Sequence, residues 1–349
     1  MADIKIGIIG FGFMGHCHAD MMKTFENISL AAVADTNAEQ LRDAPKGSET
    51  YGNLEEMLEN ADINTVIIAT PNPSHLEMVE KCARAKKHII CEKPAAMSVA
   101  QFDRMVEVTK ENDVIFTVHQ QRRWDMDYRI MKEVYDKRLV GDMYLIKSQL
   151  YGVNGNMHDW HVYPEMGGGM LYDWGVHLID QILDMVDSKI DSLYADVKNV
   201  INKDVDDYFK IILKFKNQVT AEIELGTYYL TPKRAWFIGG KEGSALIEGF
   251  HGEGRIVRTA HLLENVPGKI TMSATGPTRS FGPPEPGLLR EESLPDVKAS
   301  HREFFEHFIE SLQSGKEVMV KPDQVRRVLC VMDAVRESAR TGEAIRFES

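Results

Sequence analysis

The stretch Ile4-Lys5-Ile6-Gly7-Ile8-Ile9-Gly10-Phe11-Gly12-Phe13-Met14-Gly15 decides the fold of the amino-terminal part of this chain. Its isoleucine-rich start predicts a buried β-strand, and a helical pattern follows over residues 16–25. Between strand and helix, Gly10 permits a tight turn, Gly12 lets the backbone approach a pyrophosphate, and Gly15 lets the helix pack on the strand. The helix N-terminus would supply N–H groups and positive dipole to the phosphates. We predict that a dinucleotide contacts Gly10, Phe11, Gly12, Phe13, Met14 and Gly15; an ordinary glycine-rich turn is the alternative.

A carboxylate follows the second predicted strand. Residues 30–34 form that strand, and Asp35 comes 20 residues after Gly15. A carboxylate at this place accepts hydrogen bonds from ribose hydroxyls and repels a 2′-phosphate. Thr36 and Asn37 follow in place of a basic residue, so the sequence favours NAD over NADP. The competing interpretation is that Asp35 is an ordinary helix N-cap.

Strand and helix signals then alternate, which is typical of a doubly wound parallel sheet. Strands are predicted at residues 65–69 and 88–91, and residues 114–118 are taken as the sixth strand. The loop after residue 69 lies at the carboxyl end of a strand, where a cofactor binds in such sheets. Further cofactor contacts are therefore predicted at Thr70, Pro71, Asn72 and His75, with Ser74 as a helix N-cap, and later at Glu92, Lys93 and Gln121.

The segment His88-Ile89-Ile90-Cys91-Glu92-Lys93-Pro94 places a lysine at the tip of a buried strand. Ligands bind at this edge of an open parallel sheet, and Pro94 restricts Lys93 to extended backbone. We predict that Lys93 points at a substrate. A solvated turn is the alternative reading of the same residues.

The pattern changes after residue 141. Short β-rich runs follow with few helices between them, and two helices at residues 301–314 and 322–341 close the chain. Residues 267–295 are rich in proline and glycine and predict a surface loop. We predict two domains: a dinucleotide-binding Rossmann domain at 1–121, and an α+β domain at 122–349 with a large, mainly antiparallel open sheet for substrate binding and oligomerisation.

One predicted helix in the second half carries an acid and a base. Three glycines precede Asp173 and His177, which are four residues apart and therefore share a helix face. A histidine with a carboxylate one turn away is a candidate general base, because the acid fixes its tautomer. A buried structural Asp–His pair is the alternative.

Together these residues resemble the Gfo/Idh/MocA family of NAD(P)-dependent oxidoreductases over essentially the whole chain. The resemblance lies in the glycine motif at 10–15, in Glu92-Lys93-Pro94, and in the segment from Gly169 to His177. It implies that Lys93, Asp173 and His177 are catalytic, that the Lys93–Pro94 bond is cis, and that the protein forms homodimers or homotetramers. The implied reaction is hydride transfer between NAD and the CH–OH group of a sugar, sugar derivative or cyclitol, without a metal.

Further substrate contacts are predicted around that catalytic group. They are Lys93, Arg123, Asp159, Trp160, Asp173 and His177, with Trp236 as an additional candidate. His158 and His161 lie in the same loop, but no third ligand is placed by spacing, so no metal site is predicted. Gln120 and Gln121 stand where the resembling family has an asparagine, which leaves the nicotinamide contact there open.

Composition limits the partners. The formal charge of −12 argues against nucleic acid, and no apolar run reaches the roughly 20 residues of a membrane span. The four cysteines are scattered, which indicates reduced thiols, and the predicted location is cytoplasmic. Two other functions stay open: glycoside hydrolysis through a tightly held NAD, and an NAD-binding sensor or regulator without catalysis.

Overall fold

The amino-terminal part is a parallel sheet covered by helices. A computed structural model describes residues 4–153, 157, 159–249, 251–262, 270–279 and 285–347. The sheet has the order β3-β2-β1-β4-β5-β6, and all its strand pairs are parallel. The elements are β1 Ile4–Ile9, α1 Phe13–Met22, β2 Ile28–Ala34, α2 Ala38–Leu41, β3 Glu49–Tyr51, α3 Leu54–Asn60, β4 Thr65–Ile68, α4 His75–Arg84, β5 His88–Cys91, α5 Val99–Glu111 and β6 Phe116–Val118.

The central strands of this sheet are buried on both faces. β4 has the sequence Thr-Val-Ile-Ile, and all four residues are inaccessible to solvent, as expected for a parallel strand between two helical layers. The strand order turns back between β1 and β4, and crevices at such points are where ligands bind. Lys93 and the glycine loop both lie at this carboxyl edge.

The predicted doubly wound sheet is confirmed, with local differences. The first helix begins at Phe13, three residues before its predicted start. Strand β3 was not identified from the sequence, because Glu49, Thr50 and Tyr51 form a short polar edge strand. Ser74 is not a side-chain cap; its hydroxyl donates to the carbonyl of Pro71 and lies 2.8 Å from Oγ1 of Thr70.

The second part is built on one large sheet. Its elements are α6 Met126–Asp136, β7 Met143–Tyr151, α7 Val176–Met185, β8 Ile190–Lys198, β9 Tyr208–Phe215, β10 Thr220–Gly226, β11 Trp236–Gly240, β12 Gly243–Ile247, β13 Gly254–Thr259, β14 Ile270–Ser273, β15 Gly276–Arg279, β16 Leu289–Glu292, α8 Arg302–Ser314, α9 Pro322–Thr341 and β17 Ile345–Arg346. Nine of these described strands form the large sheet, in the order β16-β13-β12-β11-β7-β10-β9-β8-β17, and β14 and β15 pair separately.

This sheet is mainly antiparallel, as predicted; only the β7–β10 pair among its described strands is parallel. Its strands alternate between a covered and an open face. In β9, Phe209, Ile211, Leu213 and Phe215 are buried, while the residues between them are partly or fully exposed. The period of two places one apolar row against the helices and leaves the other face polar.

The prediction of a surface loop over residues 267–295 is corrected for 270–279 and 289–292, while residues 267–269 and 280–284 lie outside the described residues. Strands β14 and β15 pair as a hairpin within it, and β16 extends the large sheet by pairing with β13. All four residues of β16 are exposed, so no apolar alternation marked the strand in the sequence.

The carboxyl-terminal helices return to the first sheet. Thr117 in β6 donates its hydroxyl hydrogen to the carbonyl of Val320, just before α9, and Phe305 of α8 packs against His18 of α1. In the described part of the chain, every helix is too short or too polar to cross a bilayer.

Candidate active site

The glycine loop forms a close-fitting turn at the edge of the first sheet. Gly10 has a φ of +87°, and a Cβ there would lie 2.5 Å from the carbonyl oxygen of Ala69. A Cβ on Gly15 would lie 2.3 Å from the carbonyl oxygen of Gly10, so the helix packs against the turn. Around Gly12 the space is open for 4 Å in the described residues. A backbone that is tight at both ends and open in the middle fits a pyrophosphate at the start of α1.

Asp35 holds this loop from the neighbouring strand. Its Oδ2 accepts the backbone N–H of Phe11 at 2.7 Å, and its Oδ1 accepts that of Asn37 at 2.8 Å. The N-cap of α2 is Asn37, whose side chain accepts the N–H of Glu39, so Asp35 is not that cap. Each oxygen retains a lone pair. Asp35 can therefore still accept the predicted hydrogen bonds from the ribose hydroxyls.

The loop from Thr70 to His75 is held by contacts inside the protein. Asn72 is buried and donates to the carbonyl of Met166, which ties the loop to the second part of the chain. His75 is fully buried: Nε2 lies 2.8 Å from the carbonyl oxygen of Thr70, and Nδ1 lies 3.2 Å from those of Pro94 and Ala95. Burial lowers the pKa of His75. This corrects the prediction for His75, which joins two loops instead of facing the cofactor.

Lys93 and Asp173 meet between the two parts of the chain. Nζ of Lys93 donates to Oδ1 of Asp173 at 2.8 Å and to the Asp173 carbonyl at 2.9 Å. Both side chains are mostly buried. The other carboxylate oxygen of Asp173 lies 3.9 Å from Nε2 of His161. The Lys93–Pro94 bond is cis, as the resemblance implied.

A π-helical turn, Leu171–Gly175, sets the positions of Asp173 and His177. In the described structure the Asp173 carboxylate binds Lys93 and makes no hydrogen bond with His177. The Nδ1 atom of His177 instead contacts Oε1 of Gln120 at 3.1 Å. An amide oxygen can only accept, so Nδ1 carries the hydrogen and Nε2 keeps its lone pair. The tautomer is therefore fixed by Gln120, which we did not predict.

The environment of His177 keeps its ring neutral. Its side chain is buried, and the pKa of His177 lies well below its ordinary value, first because of burial and then because of the positive charges of Lys93 and Arg122. Glu92 acts in the opposite direction. A neutral imidazole with a free lone pair on Nε2 is suited to take a proton from a hydroxyl group.

Four consecutive residues after β6 carry buried polar atoms without a partner in the described structure. They are His119 at Nε2, followed by a row of three: Nε2 of Gln120, Oε1 of Gln121 and Nε of Arg122. Buried polar atoms are normally satisfied, so this row of two donors and one acceptor indicates a bound polar group. A nicotinamide carboxamide offers the complementary acceptor and donors. The residues present therefore fit the cofactor that the glycine loop predicts.

A small cavity lies beside Trp174, in the turn that leads into α7. Arg122 stacks on Trp174 with its guanidinium carbon 3.9 Å from the ring centroid, and the Trp174 and His177 rings form a T-shaped pair with centroids 6.2 Å apart. The cavity has a volume of about 270 Å³ and is lined by Arg122, Asp125, Met126, Asp127 and Trp174. Two larger cavities, of about 630 and 710 Å³, are lined by none of the predicted catalytic residues among those described.

Two predicted substrate residues are structural. Arg123 is buried, and its Nε and Nη2 atoms donate to the two oxygens of Asp180 at 2.7 and 2.6 Å. Its Nη1 donates to Gln324, so the guanidinium is fully engaged inside the protein. Trp236 is buried and donates its indole N–H to Asp127. These positions correct the predictions for Arg123 and Trp236.

The loop before the catalytic helix contributes an aromatic pair. Trp160 and His161 stack with ring centroids 3.8 Å apart, and His161 faces Asp173. Asp159 is exposed, and the neighbouring His158 lies outside the described residues. The sequence interpretation considered His161 as a metal candidate in a loop that borders the substrate; the structure places it beside Asp173, one of the predicted catalytic residues.

A parallel sheet with this glycine loop, and a lysine, aspartate and histidine at its carboxyl edge, defines a dinucleotide-dependent oxidoreductase. The chain belongs to the GFO/IDH/MocA oxidoreductases: residues 4–120 match the oxidoreductase family with an NAD-binding Rossmann fold, and residues 128–246 match the GFO/IDH/MocA C-terminal domain. The protein is therefore an NAD-binding dehydrogenase or reductase, as predicted.

Named relatives are similar over much of the chain. A myo-inositol 2-dehydrogenase of Thermotoga maritima is 27% identical over 63% of this chain and 68% of its own length. A scyllo-inositol 2-dehydrogenase (NADP(+)) of Bacillus subtilis is 24% identical over 99% and 96%. An NAD-binding protein of Listeria innocua has a solved structure with 33% identity, a TM-score of 0.93, and coverage of 99% and 100%. An Agrobacterium radiobacter oxidoreductase, solved with NAD+, L-tartaric acid and magnesium, has a TM-score of 0.77 at 21% identity, with coverage of 99% and 98%.

Proposed function

We propose that this protein transfers a hydride between NAD and the CH–OH group of a sugar, sugar derivative or cyclitol. The observation that carries the proposal is the contact of Lys93 with Asp173, beside a His177 whose tautomer is fixed. A cationic donor and a neutral base at one site are what a hydroxyl group needs to become a carbonyl.

Each side chain has one task in this reaction. Bound NAD supplies the hydride acceptor. His177 takes the hydroxyl proton on Nε2, while its Nδ1–H stays on Gln120. Lys93 donates a hydrogen bond to the same substrate oxygen, and Asp173 keeps the ammonium group in place. In reduction the same residues act in reverse, with His177 returning the proton.

The substrate class is supported by the surroundings of this group. Trp160 stacked on His161 offers an apolar surface edged by polar atoms, which suits a ring with several hydroxyls. Asp159 lies at the start of the same turn. Two relatives named inositol dehydrogenases favour the same class. We therefore retain Lys93, Asp159, Trp160, Asp173 and His177 as proposed substrate contacts.

The test is absorbance at the reduced-nicotinamide band with purified protein and a panel of inositols, aldoses, sugar acids and tartrate. Each compound is offered with NAD and, separately, with NADP. Signal growth with one polyol and NAD supports the proposal and names its substrate class. A flat trace across the panel, with NAD bound by calorimetry, would contradict it. Aryl glycosides in the same series then test the hydrolase alternative.

We also propose an oligomeric state, a domain boundary and a cellular location for this protein. The open face of the large sheet carries partly exposed charged residues, including Lys147, Lys210 and Glu222, which form ion pairs within the chain. We propose that this face forms a homodimer or homotetramer, that the domain boundary lies at 121/122, and that the protein works in the cytoplasm. Light scattering measures the number of subunits directly.

A further inference from the structure

A buried carboxylate joins three elements next to the catalytic lysine. Oε1 of Glu92 lies 2.7 Å from Nε2 of His18 and 2.8 Å from Nδ1 of His119, and Oε2 accepts the backbone N–H of Lys93 at 3.1 Å. His18 comes from α1, Glu92 follows β5, and His119 follows β6. Each of the three residues is at most 5% exposed. We call this group the His18–Glu92–His119 cluster.

Hydrogen bonds account for the geometry of the cluster. The two nitrogen–oxygen separations are those of short charge-assisted hydrogen bonds. Donor atoms bound to a tetrahedral zinc ion at its usual bond lengths would lie about 3.3 Å apart. Among the described residues this is the one group of three side chains with the composition of a metal site. Its spacing indicates two imidazole N–H groups that share one carboxylate oxygen.

The cluster holds Glu92 in its ionised form. Burial acts to raise the pKa of Glu92, but the two histidines outweigh it, and the pKa lies well below its ordinary value. Burial lowers the pKa of His119, whereas the contact of its Nδ1 with Glu92 at 2.8 Å acts to raise it. Phe304 and Phe305 of α8 pack against His119 and close the cluster on that side. Both carboxylate oxygens of Glu92 are engaged by donors inside the protein, so this ionised group is held in one position next to Lys93.

That charge lies at the carboxyl edge of the sheet among positive groups. Lys93 follows Glu92 directly. The positive charges of Lys93 and Arg122 lower the pKa of His177, whereas the negative charge of Glu92 acts to raise it. The unpartnered amide atoms of Gln120 and Gln121 belong to the same edge. An oxidised nicotinamide is a cation, and a reduced one is neutral. The two forms therefore differ in how they interact with a fixed negative charge nearby.

We propose that Glu92, held by His18 and His119, is a positioning residue whose fixed negative charge makes this site favour oxidised NAD over NADH. The same charge favours the protonated form of His177 that appears when it accepts a proton; this second part rests on the proposed function. Because the first part concerns cofactor binding alone, it can be tested without any substrate.

The experiment measures the dissociation constants of NAD and NADH for the wild type, Glu92→Gln and Glu92→Asp, by calorimetry and NADH fluorescence. Loss of the charge in Glu92→Gln should raise the ratio Kd(NAD)/Kd(NADH) about tenfold, the equivalent of one pKa unit. Glu92→Asp retains the charge and should keep the wild-type ratio, even where both affinities fall. An unchanged ratio in Glu92→Gln would overturn the proposal, because a purely structural role weakens both forms equally.

A second variant guards against misfolding of the first. His119→Phe replaces one ring by another among Phe304 and Phe305 and removes one donor to Glu92. The pKa of Glu92 should then rise, so the ratio should increase as the pH falls and return to the wild-type value at higher pH. A ratio independent of pH in this variant would count against the proposal.

A distant carboxylate serves as the matched control. Glu224 in β10 accepts hydrogen bonds from Gln149, Tyr229 and Lys233, and Glu224→Gln should leave the cofactor ratio unchanged. A flat substrate panel would contradict the sugar dehydrogenase and leave this inference standing. An unchanged Kd ratio in Glu92→Gln would contradict this inference and leave the proposed sugar dehydrogenase activity standing.

Discussion

Nζ of Lys93 lies 2.8 Å from Oδ1 of Asp173 and 2.9 Å from the backbone carbonyl of the same residue. One side chain at the tip of β5 is thus fixed to the π-helical turn of the second part of the chain. Its backbone N–H is fixed in turn by Glu92. The ammonium group that we propose as catalytic depends on both parts of the chain, because neither part supplies all of these partners.

Replacement of Lys93 by alanine should abolish most turnover and spare cofactor binding. We expect kcat/KM to fall roughly 10²- to 10⁴-fold, since the developing charge on the substrate oxygen loses its cationic donor. The dissociation constant of NAD should change little. Lys87→Ala is the control, because Lys87 precedes β5 at its opposite end and donates to the carbonyl of Ile63. Unaltered turnover in Lys93→Ala would remove this residue from the mechanism.

The pH profile should report the lowered pKa of His177. A base works only when deprotonated, so kcat/KM should fall as the pH drops through that pKa. Burial first, and then Lys93 and Arg122, lower the pKa well below 6.5, so the acid limb should lie below pH 6.5. His177→Ala should lose about 10²- to 10⁴-fold in rate and lose the limb as well. An acid limb above pH 6.5 would contradict this assignment.

Local sequence patterns were enough to predict the first sheet, its glycine loop and the tip of β5. The predictions that failed concern residues whose role depends on distant partners. Arg123 follows a strand at the right edge, but Asp180, 57 positions further on, takes up its guanidinium. Spacing also paired Asp173 with His177, whereas Lys93, 80 positions earlier, takes up the Asp173 carboxylate. The partner of His177 is therefore Gln120, from another element.

Gln120 should control the tautomer of His177. Gln120→Leu removes the acceptor of the Nδ1–H, a hydrogen bond worth about 1 kcal/mol, so we expect kcat to fall roughly five- to tenfold. Nitrogen NMR of the labelled histidine ring should show a change from one tautomer to a mixture. The neighbouring Gln121→Leu is the control and should keep the single tautomer. A single Nδ1–H tautomer in Gln120→Leu would show that another group fixes the ring.

Asp35 should set the preference for NAD over NADP. Asp35→Ala should lower discrimination against NADP by roughly tenfold, because the repulsion of the 2′-phosphate is removed. It also removes the acceptor of the Phe11 N–H, so NAD affinity should fall as well. Asp35→Asn keeps an acceptor without the charge and separates the two effects. Equal cofactor preference in all three proteins would mean that Asp35 only supports the loop.

Arg123 should prove essential for stability and silent in substrate binding. Arg123→Met leaves the buried carboxylate of Asp180 without its partner, which should lower the free energy of unfolding by about 3–5 kcal/mol. Burial already raises the pKa of Asp180 with Arg123 in place, so the unpaired carboxylate would take up a proton or recruit water. The double variant Arg123→Met with Asp180→Leu should recover much of the loss, since an apolar pair can replace a buried ion pair. Urea denaturation measures both. A raised KM with unchanged stability in Arg123→Met would restore this residue to the substrate site.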